Sequence, residues 1–166
     1  MMSVSVRPAV FDDLPSMLEI YGEAVMNTTA TYDYEPRTLE YRVAWFEEAK
    51  RRQLPIFVAT DQEQKVLGWS GLKQYSDRVG YRFTAENSIY VASDQRGRGL
   101  GRLLLPPILD AGKARGLHTI LAAIDAENEA SIQLHASFGF QRVGLFKQVG
   151  FKFGRWLDVL FMERLL

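Results

Sequence analysis

The stretch that most restricts this chain is Asp94-Gln95-Arg96-Gly97-Arg98-Gly99-Leu100-Gly101-Arg102. An apolar, β-prone run precedes it, Ser88-Ile89-Tyr90-Val91-Ala92, and a helix-like run opening at Leu103-Leu104-Leu105 follows it. A strand, a glycine loop and a helix start therefore succeed one another. Glycines at alternate positions let the backbone turn sharply and expose successive N–H groups. The helix start adds unpaired donors and a partial positive charge. The expectation is an anion site suited to a pyrophosphate. The spacing Gly97-x-Gly99-x-Gly101 departs from the dinucleotide fingerprint, and no Gly-Lys-Ser/Thr follows, so a P-loop fails as well. Beyond the helix, Thr119-Ile120-Leu121-Ala122-Ala123-Ile124 reads as a buried parallel strand, so a βαβ unit encloses the loop.

The 166 residues suit one α/β domain spanning the whole chain, with enough length for a sizeable core. Lys+Arg 20 balances Asp+Glu 20, so nothing points to nucleic acid or a membrane as partner. The chain has no Cys, which excludes disulfides, thiolate metal ligands and a thiol acyl-enzyme. With only two His, no metal site is expected. Met1-Met2-Ser3 leads directly into a strand-like run without a leader or membrane-length segment, so the expected location is cytoplasmic.

Before the loop, residues 3–7 alternate like a strand. Asp12 or Asp13 is expected to cap a helix with a Leu14, Met17, Leu18, Tyr21, Val25 stripe. Residues 27–36 form a Thr-rich loop, either a structural wrap or a substrate wall. Thr38 caps a second helix whose apolar stripe is Leu39, Val43 and Phe46, extended by Trp45. Residues 56–59, 66–75 and 82–91 read as an antiparallel meander. After the glycine loop, Pro106-Pro107 predicts a kink or an early break in the third helix. A fourth helix, residues 129–138, ends at Gly139. Residues 140–149 and 155–162 read as a hairpin with Gly150 and Gly154 near its turn.

Several residues could carry chemistry. Asn128, Ser131 and His135 share one helical face and offer donors and acceptors for an amide-rich ligand arm. Capping by Asn128 is the alternative. Glu86 lies mid-strand, where Glu is disfavoured. A carboxylate there can take the proton of an ammonium substrate, directly or through water; an exposed strand face is the competing reading. Arg78 and Arg82 flank Tyr81 and suit a carboxylate or phosphinate-like anion. A solvated loop is again the alternative. His118 has no constellation around it.

The motif Arg96-x-x-Gly99-x-Gly101 resembles the pyrophosphate loop of the GNAT superfamily of N-acetyltransferases. The chain is similar in particular to the phosphinothricin and methionine sulfoximine acetyltransferase branch. The likeness rests on Ile20-Tyr21-Gly22-Glu23-Ala24-Val25, Thr84-Ala85-Glu86-Asn87-Ser88-Ile89-Tyr90-Val91, Leu134-His135-Ala136-Ser137-Phe138-Gly139-Phe140 and Val149-Gly150-Phe151-Lys152-Phe153-Gly154-Arg155-Trp156-Leu157-Asp158-Val159.

The resemblance implies a mixed, mostly antiparallel V-split sheet with about four helices, and acetyl-coenzyme A in the split. It implies that backbone groups of Ile89, Tyr90 and Val91 orient pantetheine and the thioester, and that Arg96, Gly97, Arg98, Gly99, Leu100, Gly101 and Arg102 form the pyrophosphate site. Asn128, Ser131 and Ser137 become cofactor candidates, Glu86 the general base, and His135 the position where many members carry a Tyr acid. Lys73, Arg78, Tyr81, Arg82, Glu86 and Asn87 fall on the substrate side. The activity implied is acetyl transfer to the α-amine of a small amino-acid-like substrate in a ternary complex, by a homodimer. Alternatives are another amine, such as a peptide N-terminus or polyamine, or a non-catalytic acetyl-coenzyme A sensor.

Overall fold

The computed structural model describes residues 3–166; Met1 and Met2, which open the expected leader-free start, lie outside the described residues. The strands are β1 (Ser5–Pro8), β2 (Ile56–Thr60), β3 (Val66–Gln74), β4 (Thr84–Val91), β5 (Thr119–Asp125), β6 (Gln141–Lys152) and β7 (Arg155–Leu165). The helices are α1 (Leu14–Asn27), α2 (Leu39–Arg51), α3 (Leu100–Ala114) and α4 (Glu129–Ser137). The strands form one sheet in the order β1-β2-β3-β4-β5-β7-β6.

All neighbours are antiparallel except β4 and β5, which are parallel and pair only at Thr84↔Thr119, Ala85↔Ile120 and Glu86↔Leu121. Past Glu86 the two strands part. Each keeps its outer partner, β4 as far as Val91↔Gly68 and β5 as far as Asp125↔Val159. Neither strand loses its ladder on the outer side, so only the facing edges are left unpaired. This is the V-shaped split that the resemblance implied.

The core lies between the sheet and its helices, with Leu14, Met17, Val58, Leu105, Ile108 and Ile120 wholly buried. In α1 the buried line is Leu14, Met17, Ile20, Ala24 and Val25, with Leu18 and Tyr21 at its margin. Asp13 precedes α1 but makes no side-chain cap; its carboxylate instead grips Arg7 (2.7 and 2.9 Å) and accepts from Val10 N (2.8 Å). Thr38 does cap α2, its Oγ1 accepting from Tyr41 N at 3.2 Å.

Helix α2 departs from its expected stripe. Leu39 is 43% exposed, while Arg42 and Ala49 are its buried residues. Arg42, Trp45, Phe46 and Ala49 stand at i, i+3, i+4 and i+7, so the inward face is organised around a cation.

Helix α3 is not broken at Pro106-Pro107; it runs unbroken from Leu100 to Ala114. The prolines remove the donors that would reach the carbonyls of Arg102 and Leu103, both on exposed residues where water can replace them. The buried face of Leu100, Leu104, Leu105, Ile108 and Leu109 holds the helix to the sheet. Gly154 turns the β6–β7 hairpin with φ +73°, beside Phe153 at +53°. Gly150 lies inside β6 instead, where the Tyr32 ring occupies the place of a side chain. Among the described residues, no helix is long and apolar enough to cross a membrane.

Candidate active site

The parting of β4 from β5 opens a cleft of about 1440 Å³. The glycine loop forms one wall. Gly97 (φ +75°) and Gly99 (φ +81°) adopt left-handed conformations that suit glycine. Gly99 is the N-cap of α3, so the N–H groups of Leu100 and Gly101 lie in the first turn, without intrahelical partners. Gly101 has a different role. An ideal Cβ there would stand 2.7 Å from Leu134 Cδ2, so this glycine lets α4 approach α3.

Three arginines surround the loop. Arg96 pairs with Glu23 of α1 and donates from Nε to Val91 O at 3.3 Å. Arg98 donates to Gln95 Oε1 at 2.6 Å, and Arg102 lies over the Phe138 ring at 5.7 Å. Arg96 and Arg102 line the cleft, and Arg98 stands just outside it. Free N–H groups, a helix N-terminus and fixed cations fit a pyrophosphate.

The second wall is β4. Ile89, Tyr90 and Val91 line the cleft beyond the last β4–β5 pair. Their backbone groups directed away from β3 have no strand partner and open into the split. Such an edge suits a ligand arm rich in amides.

Glu86 stands at the apex, the last β4 residue that still pairs with β5. Its side chain is 20% exposed, lines the cleft and lies 3.2 Å from Nζ of Lys73, its cross-strand partner. Glu86 therefore sits on a central strand, where the split begins. Asn87 turns to the opposite face and meets His135.

His135 is 4% exposed, and both ring nitrogens face protein atoms. Nδ1 donates to Ser131 O at 2.7 Å, while Nε2 faces Asn87 Oδ1 at 3.1 Å. Asn87 Nδ2 donates to Leu121 O at 3.2 Å. Burial pushes the His135 pKa down, and the bond to Ser131 opposes this. A neutral ring with its proton on Nδ1 carries a lone pair on Nε2, which is best met by the NH2 of Asn87. The amide orientation therefore depends on the charge of His135.

Asn128 is the N-cap of α4, accepting from Ser131 N at 3.2 Å, and it lines the cleft as well. Capping uses only the amide oxygen, so the two amide donors of Asn128 are left for the cleft. Ser131 lines the cleft, whereas Ser137 lies outside it with Oγ donating to Leu134 O at 2.7 Å. Arg78, Tyr81 and Arg82 are on an exposed turn beyond the cleft lining. Tyr81 packs on Tyr75 and Arg82 on Phe83. His118 is exposed. The loop over residues 28–34 both lines the cleft and wraps the hairpin. Buried Lys152 donates to Thr28 O (2.8 Å) and Thr31 O (2.7 Å).

Sequence reasoning missed part of the site. Four buried polar atoms lack a partner among the described residues: Tyr32 Oη, Arg42 Nε, Trp69 Nε1 and Asp125 Oδ2. All four residues line this one cleft. Unpaired buried polar groups are rare in folded proteins, so their concentration here marks a polar ligand site. Arg42 was readable only as a cation spaced with Trp45 and Phe46. Tyr32 and Asp125 come from distant segments, and only the fold joins them. Burial pushes the Tyr32 and Tyr21 hydroxyls up to about 12, so both remain protonated donors at neutral pH.

Residues 6–161 match the family described as "Acetyltransferase (GNAT) domain". The chain is 47% identical over 162 residues to the L-methionine sulfoximine/L-methionine sulfone acetyltransferase of Pseudomonas aeruginosa, covering 98% of this chain and 94% of that protein. It is 42% identical to the phosphinothricin N-acetyltransferase of Streptomyces coelicolor, covering 97% of this chain and 95% of that protein. The crystal structure of a phosphinothricin acetyltransferase from Sinorhizobium meliloti in complex with AcCoA superposes with a TM-score of 0.96. It is 38% identical and covers 99% of this chain and 89% of that one.

Proposed function

The chain belongs to the GNAT acetyltransferase family, and from that premise we propose that it acetylates the α-amine of a small amino-acid-like substrate. Methionine sulfone, methionine sulfoximine and phosphinothricin are the named candidates, because relatives that match nearly the whole chain carry those names. The observation that carries the reading is the place of Glu86, at the apex of the cleft whose other wall is the glycine loop.

Acetyl-coenzyme A supplies the acetyl thioester. The loop N–H groups, with Arg96 and Arg102, hold its pyrophosphate, and the open edge of β4 and Asn128 hold the pantetheine arm. Glu86 takes the proton of the substrate ammonium, directly or through one water, and so frees the nitrogen lone pair. A backbone N–H of the open β4 edge stabilises the charge that develops on the thioester oxygen. A new C–N bond forms, the C–S bond breaks, and the nitrogen gives up its second proton to solvent as the thiolate leaves and takes up a proton there. His135 has neither ring nitrogen free, which supports a positioning role through Asn87 rather than direct proton delivery.

The assembly we propose is a homodimer. Strand β6 is the sheet edge, and Val143, Leu145, Phe146, Val149, Phe151 and the neighbouring Trp156 of β7 are exposed there. A long apolar edge of this kind is normally covered.

The reading is tested by initial rates with acetyl-coenzyme A and methionine sulfone varied together, with mass detection of the N-acetyl product. Intersecting lines and a singly acetylated amino acid are expected. Parallel lines would contradict the ternary complex, and no product from any amino acid would contradict the substrate class.

A further inference from the structure

Arg42 is 3% exposed, yet it has no ion pair among the described residues. Three aromatic rings surround its guanidinium instead. Its Cζ lies 4.7 Å from the centroid of Trp45, 5.0 Å from Tyr21 and 5.1 Å from Trp69. Ring faces stabilise a cation, but they accept little from its N–H groups. Nε is buried without an acceptor, and so is the neighbouring Trp69 Nε1. Burial pulls the Arg42 pKa down, and no carboxylate is among the groups that oppose this. A buried cation left without a counter-charge is costly, and the cleft is where a counter-ion can enter.

The position fits one ligand group. Lys73↔Glu86 and Trp69↔Tyr90 are cross-strand pairs. Glu86 and Tyr90 are four residues apart on β4, so they share a face of the sheet. Arg42 packs over that same face through Trp69. The step from Glu86 to Tyr90 is about 13 Å along the strand. A span of that order leaves length for an α-amino acid, with a water beside its amine, between Glu86 and the aromatic box. Arg78 and Arg82 are exposed and do not line the cleft, whereas Arg42 does.

We propose that Arg42 anchors the α-carboxylate of the acceptor substrate, donating to it from within the aromatic box, and thereby selects α-amino acids over simple amines. The inference rests on the proposed function and adds the residue that sets the substrate class. It also explains why the box contains no acidic residue: the substrate supplies the negative charge.

The test compares methionine sulfone with 3-(methylsulfonyl)propan-1-amine, the same molecule without its carboxylate, in wild type, Arg42→Gln and Arg42→Lys. Wild type should favour methionine sulfone by about a hundredfold or more in kcat/KM, the scale of losing one partner of a buried charge pair. Arg42→Gln should bring that ratio to within about threefold, with Arg42→Lys between them and the KM for acetyl-coenzyme A unchanged. An equal loss on both amines would show a merely structural residue and overturn the proposal. So would a wild type that does not distinguish the two. If no variant turns over any amine, the proposed function fails by itself. Calorimetric titration with methionine sulfone then still tests the anchor, which requires weaker binding to Arg42→Gln than to wild type.

Discussion

Replacing Glu86 by Gln separates chemistry from structure at the apex of the split. The substitution keeps the shape and removes the proposed proton acceptor. Loss of a general base lowers kcat by about two to four orders of magnitude, or about 3–5 kcal/mol of transition-state stabilisation. The lost ion pair with Lys73 counts for far less. The Lys73 side chain is 56% exposed, and pairs of that kind contribute about 0–1 kcal/mol. Thermal stability should therefore stay near wild type while turnover collapses. The KM for acetyl-coenzyme A should also hold, because the proposed pyrophosphate site is built from other residues. Coenzyme A release at saturating substrate gives kcat, and its pH profile adds a second reading. Without its base the variant depends on free amine already in solution, so its rate should rise about tenfold per pH unit below the amine pKa. A variant within about threefold of wild-type kcat would refute Glu86 as base. A large loss with an unchanged pH profile would assign it a binding role instead.

Other consequences follow from the packing and the edges. Gly68→Ala should destabilise the fold by about 1–3 kcal/mol in urea melts, since its Cβ would meet Tyr90 O at 2.9 Å and Leu104 Cδ1 at 3.2 Å. Wild-type stability there would mean that β3 and α3 can shift apart. For His135, burial lowers the folded pKa below its ordinary 6.5, so the unfolded chain binds the extra proton first. Stability should be complete above pH 6.5 and fall as the pH drops below it. His135→Asn should flatten that slope in paired melts at pH 5.5 and 7.5, and a wild type that gains stability on acidification would mean a charged ring. Trp156→Asp should shift the sedimenting species from dimer to monomer, the Trp156 side chain being 62% exposed on the proposed dimer face. A monomeric wild type would refute the dimer.

The sequence was most legible where one segment carries its own signal. The run from Ser88 to Arg102 reads as strand, loop and helix because left-handed glycines and a helix start are local requirements. Glu86 stood out for a related reason, as an unfavoured residue within a strand. Legibility failed where packing overrides local preference. Pro106-Pro107 should break an isolated helix, but the buried face of α3 holds it straight through, with the freed carbonyls on exposed residues. Asp13 looked like a cap, yet Arg7 claims its carboxylate. The larger gap is Arg42. A charged residue near an apolar stripe normally faces solvent, and only the approach of Tyr21 and Trp69 from other segments turns it inward. Asp125 and Tyr32 were invisible for the same reason, since their unpaired atoms meet one cleft only after the sheet has formed.

The most direct measurement is coenzyme A thiol release from acetyl-coenzyme A against an amine panel. The panel holds methionine sulfone, methionine sulfoximine, phosphinothricin, ordinary amino acids, a polyamine and a short peptide. The chain has no Cys, so it adds no thiol background. Saturable turnover is expected with at least one of the first three, and little with the polyamine or peptide. Acetyl-coenzyme A binding without release across the whole panel would contradict it.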